Sequence, residues 1–204
     1  MTGWTLHDGL AVALPVEGID TDQLIPARFM SAQRADGYGK YLLHDQRFDA
    51  NGAPADHPLN APEAHTASIL IAKRNFGGGS SREAAVYALS DYGIRAVIAP
   101  SFGDIFAGNA VNNGLLPARV SDADSAAILA VLAAPRRVRI DLETQLITIG
   151  TQSWRFDLDP GWRQKLINGW DDIDLTASYT AEIAAFRDAD RQDRRWAWLT
   201  DSQG

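Results

Sequence analysis

The chain contains no cysteine among its 204 residues. This absence excludes a disulfide framework and a thiolate nucleophile, and it excludes cysteine ligation of zinc or of an iron–sulfur cluster by this chain. Histidine is also scarce, and the histidines lie far apart without a metal-ligand spacing such as His-x-x-x-His. Each is therefore interpreted as a surface or loop residue rather than a ligand: His7, His44, His57 and His65. We expect no metal site on this chain.

Long apolar runs and an excess of positive charge are absent as well. No run approaches the roughly 20 apolar residues of a membrane-spanning helix, and the first residues lack the basic start and apolar core of an export signal. The formal net charge of −7 argues against nucleic acid and acidic membranes as partners, because both attract basic surfaces. With 46% hydrophobic and 22% charged residues, the composition is typical of a globular protein. We expect a single cytoplasmic domain over residues 1–204.

The most informative stretch that is present is Asn-Phe-Gly-Gly-Gly-Ser-Ser-Arg-Glu, residues 75–83. It follows an apolar, β-rich segment over residues 67–74 and precedes a helical pattern over residues 82–92, which Gly93 should end. Glycines let the backbone approach a ligand closely, and the first turn of a helix favours a bound anion. Arg82 can add two parallel hydrogen bonds to a carboxylate. The junction is therefore a candidate carboxylate site.

The same junction also has a purely structural interpretation. The spacing from Ser80 to Glu83 matches a capping box, in which the serine caps the helix and the glutamate reaches back. On this stretch alone the structural interpretation is favoured. Nucleotide binding is not indicated, because the third glycine of a dinucleotide fingerprint would fall at Arg82 and no Gly-Lys-Ser/Thr follows.

The pattern of apolar residues along the rest of the chain predicts a mixed α/β fold. A strand, a helix and a second strand around the junction imply a βαβ unit with a parallel pair. The other predicted elements are a strand over 9–16, a strand over 95–100, a helical turn over 104–110, a helix over 122–133, a hairpin of 137–142 with 146–149, a possible third strand over 154–158, and a helix that Asp159, Pro160 and Gly169 delimit.

The segment from Arg28 to His65 shows little periodicity and is punctuated by glycine and proline. Loops longer than roughly 15 residues are usually functional or mobile, so a mobile binding loop over residues 28–65 is predicted. A disordered insertion over residues 49–65 is the alternative. The apolar groups that could line a pocket for a substrate side chain are Tyr38, Tyr41, Leu42 and Leu43.

The end of the chain is expected to form an amphipathic helix over residues 180–199. Its Ile183, Phe186 and tryptophans are predicted to pack on a surface rather than to bind a cofactor.

Four ordered motifs together carry a resemblance to a known family. They are Asp20-Thr-Asp-Gln-Leu-Ile-Pro-Ala-Arg28, the glycine-rich run 75–83, Val97-Ile-Ala-Pro-Ser-Phe-Gly-Asp-Ile-Phe106 and Asn113-Gly-Leu-Leu-Pro117. In this order they resemble the 3-isopropylmalate dehydratase small subunits, the mobile fourth domain of the aconitase superfamily. The resemblance covers essentially the whole chain and implies a swivelling β/β/α domain with a mixed sheet and peripheral helices.

The resemblance implies a catalytic partnership. A large subunit would hold a [4Fe–4S] cluster through three cysteines, and its open iron would take the hydroxyl of a 2-alkylmalate substrate, so this chain itself would bind no cofactor. Ser80 would supply the alkoxide that removes a proton from the carbon next to a carboxylate. By the same resemblance, Ser81 and Arg82 would hold a substrate carboxylate, and Thr21 and Asp22 would lie at the edge of the site. Arg28 is a weaker candidate for a carboxylate contact, since it could equally form a surface ion pair.

The sequence departs from the family pattern at two positions beside the junction. The family usually has cysteine and histidine where this chain has Gly78 and Ala84. The resemblance predicts a leucine-pathway isomerase subunit, and these two departures leave two alternatives open. One is a paralogous dehydratase subunit for another 2-hydroxy acid such as a methylmalate, and the other is a non-catalytic scaffold subunit.

Overall fold

One mixed sheet organises the chain, of which the computed structural model describes residues 2–198. The seven strands of this described part are β1 Leu6–Leu14, β2 Ala67–Ala72, β3 Ala96–Ala99, β4 Leu116–Arg119, β5 Arg136–Asp141, β6 Leu146–Ile149 and β7 Gln152–Arg155. Their spatial order is β4-β3-β2-β1-β5-β6-β7. The predicted mixed α/β fold is confirmed.

The half of the sheet from β1 to β4 is parallel and buried on both faces. In β2, Ile69 and Ile71 belong to the apolar cluster on one face, whereas Leu70 belongs to the cluster on the other. Strands covered on both faces show continuous apolar runs instead of alternation, which is why residues 67–74 and 95–100 were recognisable as buried strands. The parallel β2–β3 pair confirms the predicted βαβ unit.

The other half, from β1 through β5 and β6 to β7, is antiparallel. The predicted hairpin of β5 and β6 is confirmed, and the Asp141 carboxylate closes its turn by accepting from the backbone N–H groups of Glu143 and Thr144 at 2.8 and 3.0 Å. The last strand begins two residues earlier than predicted. The edge strand β4 was not predicted, because its Pro117 argues against a strand except at a sheet edge.

Helices cover both faces of the sheet. Their bounds are α1 Thr21–Leu24, α2 His44–Arg47, α3 Glu83–Tyr92, α4 Asp104–Asn112, α5 Asp122–Val131, α6 Pro160–Asn168, α7 Asp172–Ser178 and α8 Thr180–Asp193. As predicted, α3 ends at Gly93, whose φ of 109° suits a residue without a side chain. The Asp159 carboxylate caps α6 by accepting from the N–H groups of Gly161 and Trp162. Helix α7 was not predicted.

Residues 28–65 form a chain of short helical turns packed on the α3 face of the sheet. Besides α2, the segment has 3-10 turns at Arg34–Asp36, Gly39–Tyr41, Pro58–Asn60 and Pro62–Thr66. Leu42 and Leu43 are fully buried in the main apolar cluster. The expectation that they line an open pocket is therefore wrong, because they fill the core under the segment. The mobility of residues 28–65 stays a prediction.

The helix predicted over residues 180–199 is observed over Thr180–Asp193 and is followed by a 3-10 turn at Arg195–Ala197, and residue 199 lies outside the described residues. No residue of α8 is buried. Ile183 and Phe186 are 49% and 70% exposed, so the expected packing on a surface is not provided by the described part of this chain. Separately, none of the helices over residues 2–198 combines the length and apolar character needed to cross a membrane.

Candidate active site

The glycine-rich junction leaves the end of β2 as a tightly folded loop. Gly77 has a φ of 71°, and a Cβ atom there would lie 2.2 Å from the Phe106 ring, so only glycine fits. Gly79 has a φ of 95°. The preceding Asn75 also has a positive φ, and Ser101 Oγ accepts from its backbone N–H at 2.8 Å. These backbone conformations carry Ser80 away from the core and into solvent.

The motif over residues 20–28 lies alongside this loop. Gly77 N–H donates to the Ile19 carbonyl at 2.7 Å, and Thr21 N–H donates to the Gly78 carbonyl at 3.0 Å. The Asp20 carboxylate caps α1 and forms a capping box with Gln23. The two motifs, 59 residues apart in sequence at Thr21 and Ser80, are therefore held side by side by backbone hydrogen bonds.

The Ser80 hydroxyl contacts Thr21 directly. Thr21 Oγ1 lies 3.1 Å from Ser80 Oγ and 3.2 Å from the Ser80 carbonyl oxygen. Thr21 is buried and Ser80 is exposed. A buried, fixed hydroxyl thus touches an exposed one that is free to meet a ligand.

Ser80 does not cap the helix that follows. Helix α3 begins at Glu83 with Arg82 as the N-cap residue, and no side chain makes the capping hydrogen bond. The Glu83 carboxylate instead accepts from Asn113 Nδ2 at 2.9 Å. The predicted capping box of Ser80 and Glu83 is wrong, because the chain stays extended until Arg82 and the helix starts too late for that spacing.

The Arg82 guanidinium forms an ion pair with Asp22. Its Nη1 atom is buried and faces the Asp22 carboxylate without the alignment of a hydrogen bond to any described residue. The Arg82 side chain is 25% exposed and that of Asp22 is 56% exposed. The neighbouring Ser81 is exposed, and its hydroxyl has no hydrogen-bond partner within residues 2–198. We refer to Thr21, Asp22, Ser80, Ser81 and Arg82 as the candidate site.

Arg28 lies apart from these contacts. Its guanidinium binds the Asp45 carboxylate, with Nη1 2.8 Å from Oδ2, and stacks 4.5 Å from the centre of the Phe29 ring. The hydrogen bond from Arg28 lowers the pKa of Asp45 to about 2. The structure thus places Arg28 in the surface ion pair that was the alternative to a substrate contact.

Two family-typical residues are replaced next to the candidate site. A Cβ atom at Gly78 would lie 2.9 Å from Asn75 Oδ1, so a cysteine there would require the Asn75 side chain to shift. Ala84 is partly buried and packs against the main apolar cluster at the start of α3. Both positions surround the loop of Ser80 without contributing a polar group to it.

The candidate site is an open surface. A cavity of about 520 Å³ lies elsewhere, between Phe102, Arg119 and Trp162. Ser80 and Ser81 are exposed. Such a surface can present a base and a carboxylate-binding pair, but it does not by itself exclude water from a reaction.

The described residues offer no donor set for a metal. No group of three or more histidine, aspartate or glutamate side chains suitable for a metal ion occurs over residues 2–198, and the sequence has no cysteine. His7 differs from the expectation of a surface or loop position, since it lies in β1, half-buried, 2.8 Å from Ser68 Oγ. An iron–sulfur cluster does not fit the side chains of this chain.

Sequence reasoning missed two contributors to this region. Asn113 was recognised only as part of a motif, and its hydrogen bond to Glu83 joins the end of α4 to the start of α3. The capping box of Asp20 and Gln23 was also missed, although the Asp-x-x-Gln spacing was a readable signal for it.

Comparisons with known proteins identify the family of this chain. Residues 1–123 match the family model described as the aconitase C-terminal domain. A protein of Shouchella clausii named 3-isopropylmalate dehydratase small subunit is 47% identical over 185 residues, covering 89% of this chain and 93% of that protein. One of Lactococcus lactis with the same name is 45% identical over 188 residues, covering 91% of this chain and 97% of that protein.

A solved structure is similar as well. It is the crystal structure of a 3-isopropylmalate dehydratase (leuD) from Methanocaldococcus jannaschii, with a TM-score of 0.63 and 26% sequence identity. The similarity covers 88% of this chain and 98% of that one.

Proposed function

Because the chain belongs to the aconitase C-terminal domain family, and within it to the 3-isopropylmalate dehydratase small subunits, we propose a specific role for it. It is the small subunit of a two-chain hydro-lyase that interconverts 2-isopropylmalate and 3-isopropylmalate in leucine biosynthesis. The observation that carries the proposal is the placement of the Thr21–Ser80 contact beside the Asp22–Arg82 ion pair on one open surface. This arrangement supplies a base and a carboxylate-binding group next to each other.

Ser80 is the proposed base of the dehydration. Its Oγ, as the alkoxide, takes the proton from the carbon next to a substrate carboxylate and becomes a hydroxyl, and the reverse transfer accompanies rehydration. An alkoxide forms only where its charge is stabilised. Thr21 Oγ1 at 3.1 Å can donate a hydrogen bond to it, and the Arg82 cation follows two residues later in the same loop. Because Ser80 does not cap α3, its oxygen is available for this role.

Ser81 and Arg82 are the proposed carboxylate-binding pair. The Ser81 hydroxyl is exposed, and the planar Arg82 guanidinium matches the two oxygens of a carboxylate. In the free chain one nitrogen of this fork, Nη1, pairs with the Asp22 carboxylate. A substrate carboxylate would share or replace that contact. A similar role for Arg28 would require it to leave Asp45 and remains the weaker part of the proposal.

The large subunit is the proposed source of the [4Fe–4S] cluster. The side chains of this chain do not fit such a cluster. The group that removes the substrate hydroxyl is therefore proposed to belong to the large subunit. The open candidate site supports the need for a partner, because proton transfer to an alkoxide requires a surface closed from water.

Reconstitution tests this proposal. The purified chain alone should contain no stoichiometric iron or sulfide and should not turn over isopropylmalate. Addition of the anaerobically prepared large subunit from the same source should produce turnover. The assay measures the ultraviolet absorbance of the unsaturated acid intermediate. The matched control is the same complex with Ser80→Ala. Turnover by the chain alone, or full turnover of the Ser80→Ala complex, would contradict the proposal.

A further inference from the structure

The last described part of the chain contains a helix, α8, none of whose residues is buried. We define the C-terminal arm as α7, α8 and the turn after them, residues 172–198. We propose that this arm is a docking surface for the large subunit, so that one protein contact both closes the candidate site and buries the arm. This inference rests on the proposed function, since it takes the large subunit as the partner.

The arm presents an apolar face that remains exposed among residues 2–198. Tyr179, Ile183 and Phe186 are 45%, 49% and 70% exposed. Their spacing of four and three residues places them on one side of a helix. Helix α8 has 14 residues and none of them is buried. Isolated helices of about that length are marginal in water, so packing against another surface is what would stabilise this one.

Both ends of the arm add exposed apolar side chains. Ile173 in α7 is 78% exposed, and Trp196 after α8 is 84% exposed. Trp198 folds back instead, with its Nε1 donating to Asp190 Oδ2 at 2.9 Å and the Arg191 guanidinium 4.8 Å from its ring centre. A large aromatic side chain with a surrounding polar rim is typical of protein interfaces.

The root of the arm is fixed by a buried lysine. Lys165 of α6 is 2% exposed, and its Nζ donates to Asp172 Oδ1 at 2.6 Å and to Asn112 Oδ1. This hydrogen bond from Lys165 lowers the pKa of Asp172. A buried ammonium with two oxygen partners is a costly contact to break, so α7 begins at a defined place on the domain.

The same contacts connect the root of the arm to the candidate site. Asn112 is followed by Asn113, whose Nδ2 donates to Glu83 Oε1 at 2.9 Å. Glu83 is the residue after Arg82. The arm therefore leaves the domain beside the end of α4, which a hydrogen bond joins to the start of α3. A partner that covers the candidate site reaches this region, and the apolar face of the arm continues the surface that it meets.

The large subunit fits this surface better than a second copy of this chain. A second copy would bring another open site with the same residues and no cysteine, so neither site would gain the groups that it lacks. Two copies would also each carry a net charge of −7. The large subunit would supply the groups that the candidate site lacks, and we infer that the arm contacts this same subunit.

Binding measurements with both full subunits test the inference. The double variant Ile183→Ala, Phe186→Ala and the single variant Trp196→Ala should each raise the Kd for the large subunit by about tenfold or more, as expected for truncated interface anchors. The kcat at saturating large subunit should stay within about twofold of the unaltered complex. The matched control is Leu6→Ala, since Leu6 is an apolar residue of β1 that is 44% exposed and lies outside the arm. Its Kd should be unchanged.

The outcomes separate this inference from the proposed function. An unchanged Kd for the arm variants, with a fully active complex, would overturn the docking surface and leave the proposed function intact. The same holds if the variants change only self-association of the small subunit in sedimentation experiments. If the unaltered chain forms no complex and shows no turnover with the large subunit, both are overturned.

Discussion

Thr21 Oγ1 lies 3.1 Å from Ser80 Oγ, and the two residues belong to motifs that are 59 positions apart. Thr21 is 1% exposed and anchored in α1, whereas Ser80 is exposed in the loop before α3. Thr21 therefore holds the exposed Ser80 hydroxyl from the buried side. A fixed partner of this kind can stabilise charge on Ser80 without having to reorganise when the charge forms.

Ser80→Ala should remove turnover and leave the fold nearly unchanged. The variant loses the proposed base, but Thr21 keeps the Ser80 carbonyl as an acceptor and α3 loses no cap. The free energy of unfolding should fall by less than about 1.5 kcal/mol, the range for one hydrogen bond. Urea unfolding of the free subunit and kcat of the reconstituted complex provide the two readouts. Near-normal kcat would place the base on another residue.

Thr21→Val tests the hydroxyl beneath Ser80. Valine keeps the shape of threonine but cannot donate to the alkoxide, so kcat should fall by on the order of 10²-fold while KM changes little. The profile of kcat against pH should also move to higher pH, since the Ser80 anion becomes harder to form. Thr21→Ser, which retains a hydroxyl, should recover most of the activity. If valine and serine behave alike, the Thr21 contact is only structural.

Arg82→Lys should not behave as a conservative change. Lysine keeps the positive charge but lacks the planar fork that fits a carboxylate, so kcat/KM should fall by tenfold to a hundredfold, or about 1.4–3 kcal/mol. The control is Arg137→Lys, since Arg137 pairs with Asp8 at 2.8 Å in the strands away from the candidate site. Steady-state kinetics of both complexes would check this. Equal kinetics for the two variants would show that Arg82 does not contact substrate.

His57 should make the stability of the chain depend on pH. Burial, together with the nearby Arg47 cation, lowers the pKa of His57 from 6.5 to about 4. Its Nδ1 accepts from the Leu59 N–H at 3.1 Å, which requires the neutral ring. The unfolded chain takes up this proton at higher pH than the folded chain, so stability is full above pH 6.5 and falls from there towards pH 4. The fall should be on the order of 1–2 kcal/mol, because the ring is partly screened by water.

The variant His57→Asn isolates this contribution. Asparagine can still accept the hydrogen bond but does not titrate in this range. The difference between the two unfolding free energies, measured at pH 7 and at pH 4.5, should therefore shrink in the variant. If the unfolding free energy changes equally with pH in the unaltered chain and in the variant, the pH dependence belongs to other groups.

The segment over residues 28–65 should divide into structural and substrate-reading positions. Leu43 is fully buried, so Leu43→Ala should destabilise the chain by about 2–5 kcal/mol. Tyr41 is partly exposed and stacks on Phe29 with ring centres 4.3 Å apart, so Tyr41→Ala should cost less stability and change the preference among 2-alkylmalates. Hydrogen exchange over residues 30–45 should slow in the complex with large subunit and substrate. Full protection already in the free subunit would show that the segment is not a mobile loop.

Local sequence patterns determined much of the architecture of this protein. The buried parallel strands β2 and β3, the β5–β6 hairpin and the ends of α3 and α6 follow from apolar runs, alternation and the residues Gly93, Asp159 and Gly169. Such signals lie within a few residues of the structure that they specify, because the spacing of apolar residues and the residues that cap a helix are both local. The ordered motifs likewise pointed to the family from the sequence alone.

Only the tertiary structure decided how the candidate site is arranged. The capping box at Ser80 was a correct local pattern that the fold does not use, because the loop backbone pairs with residues 19–21 and α3 starts at Glu83. Leu42 and Leu43 were predicted to line a pocket, but both are fully buried in the core. Burial depends on segments that are distant in sequence, so the local pattern did not reveal it. The Thr21–Ser80 contact and the exposed arm are also products of chain topology, because each joins or separates residues whose proximity no local preference encodes.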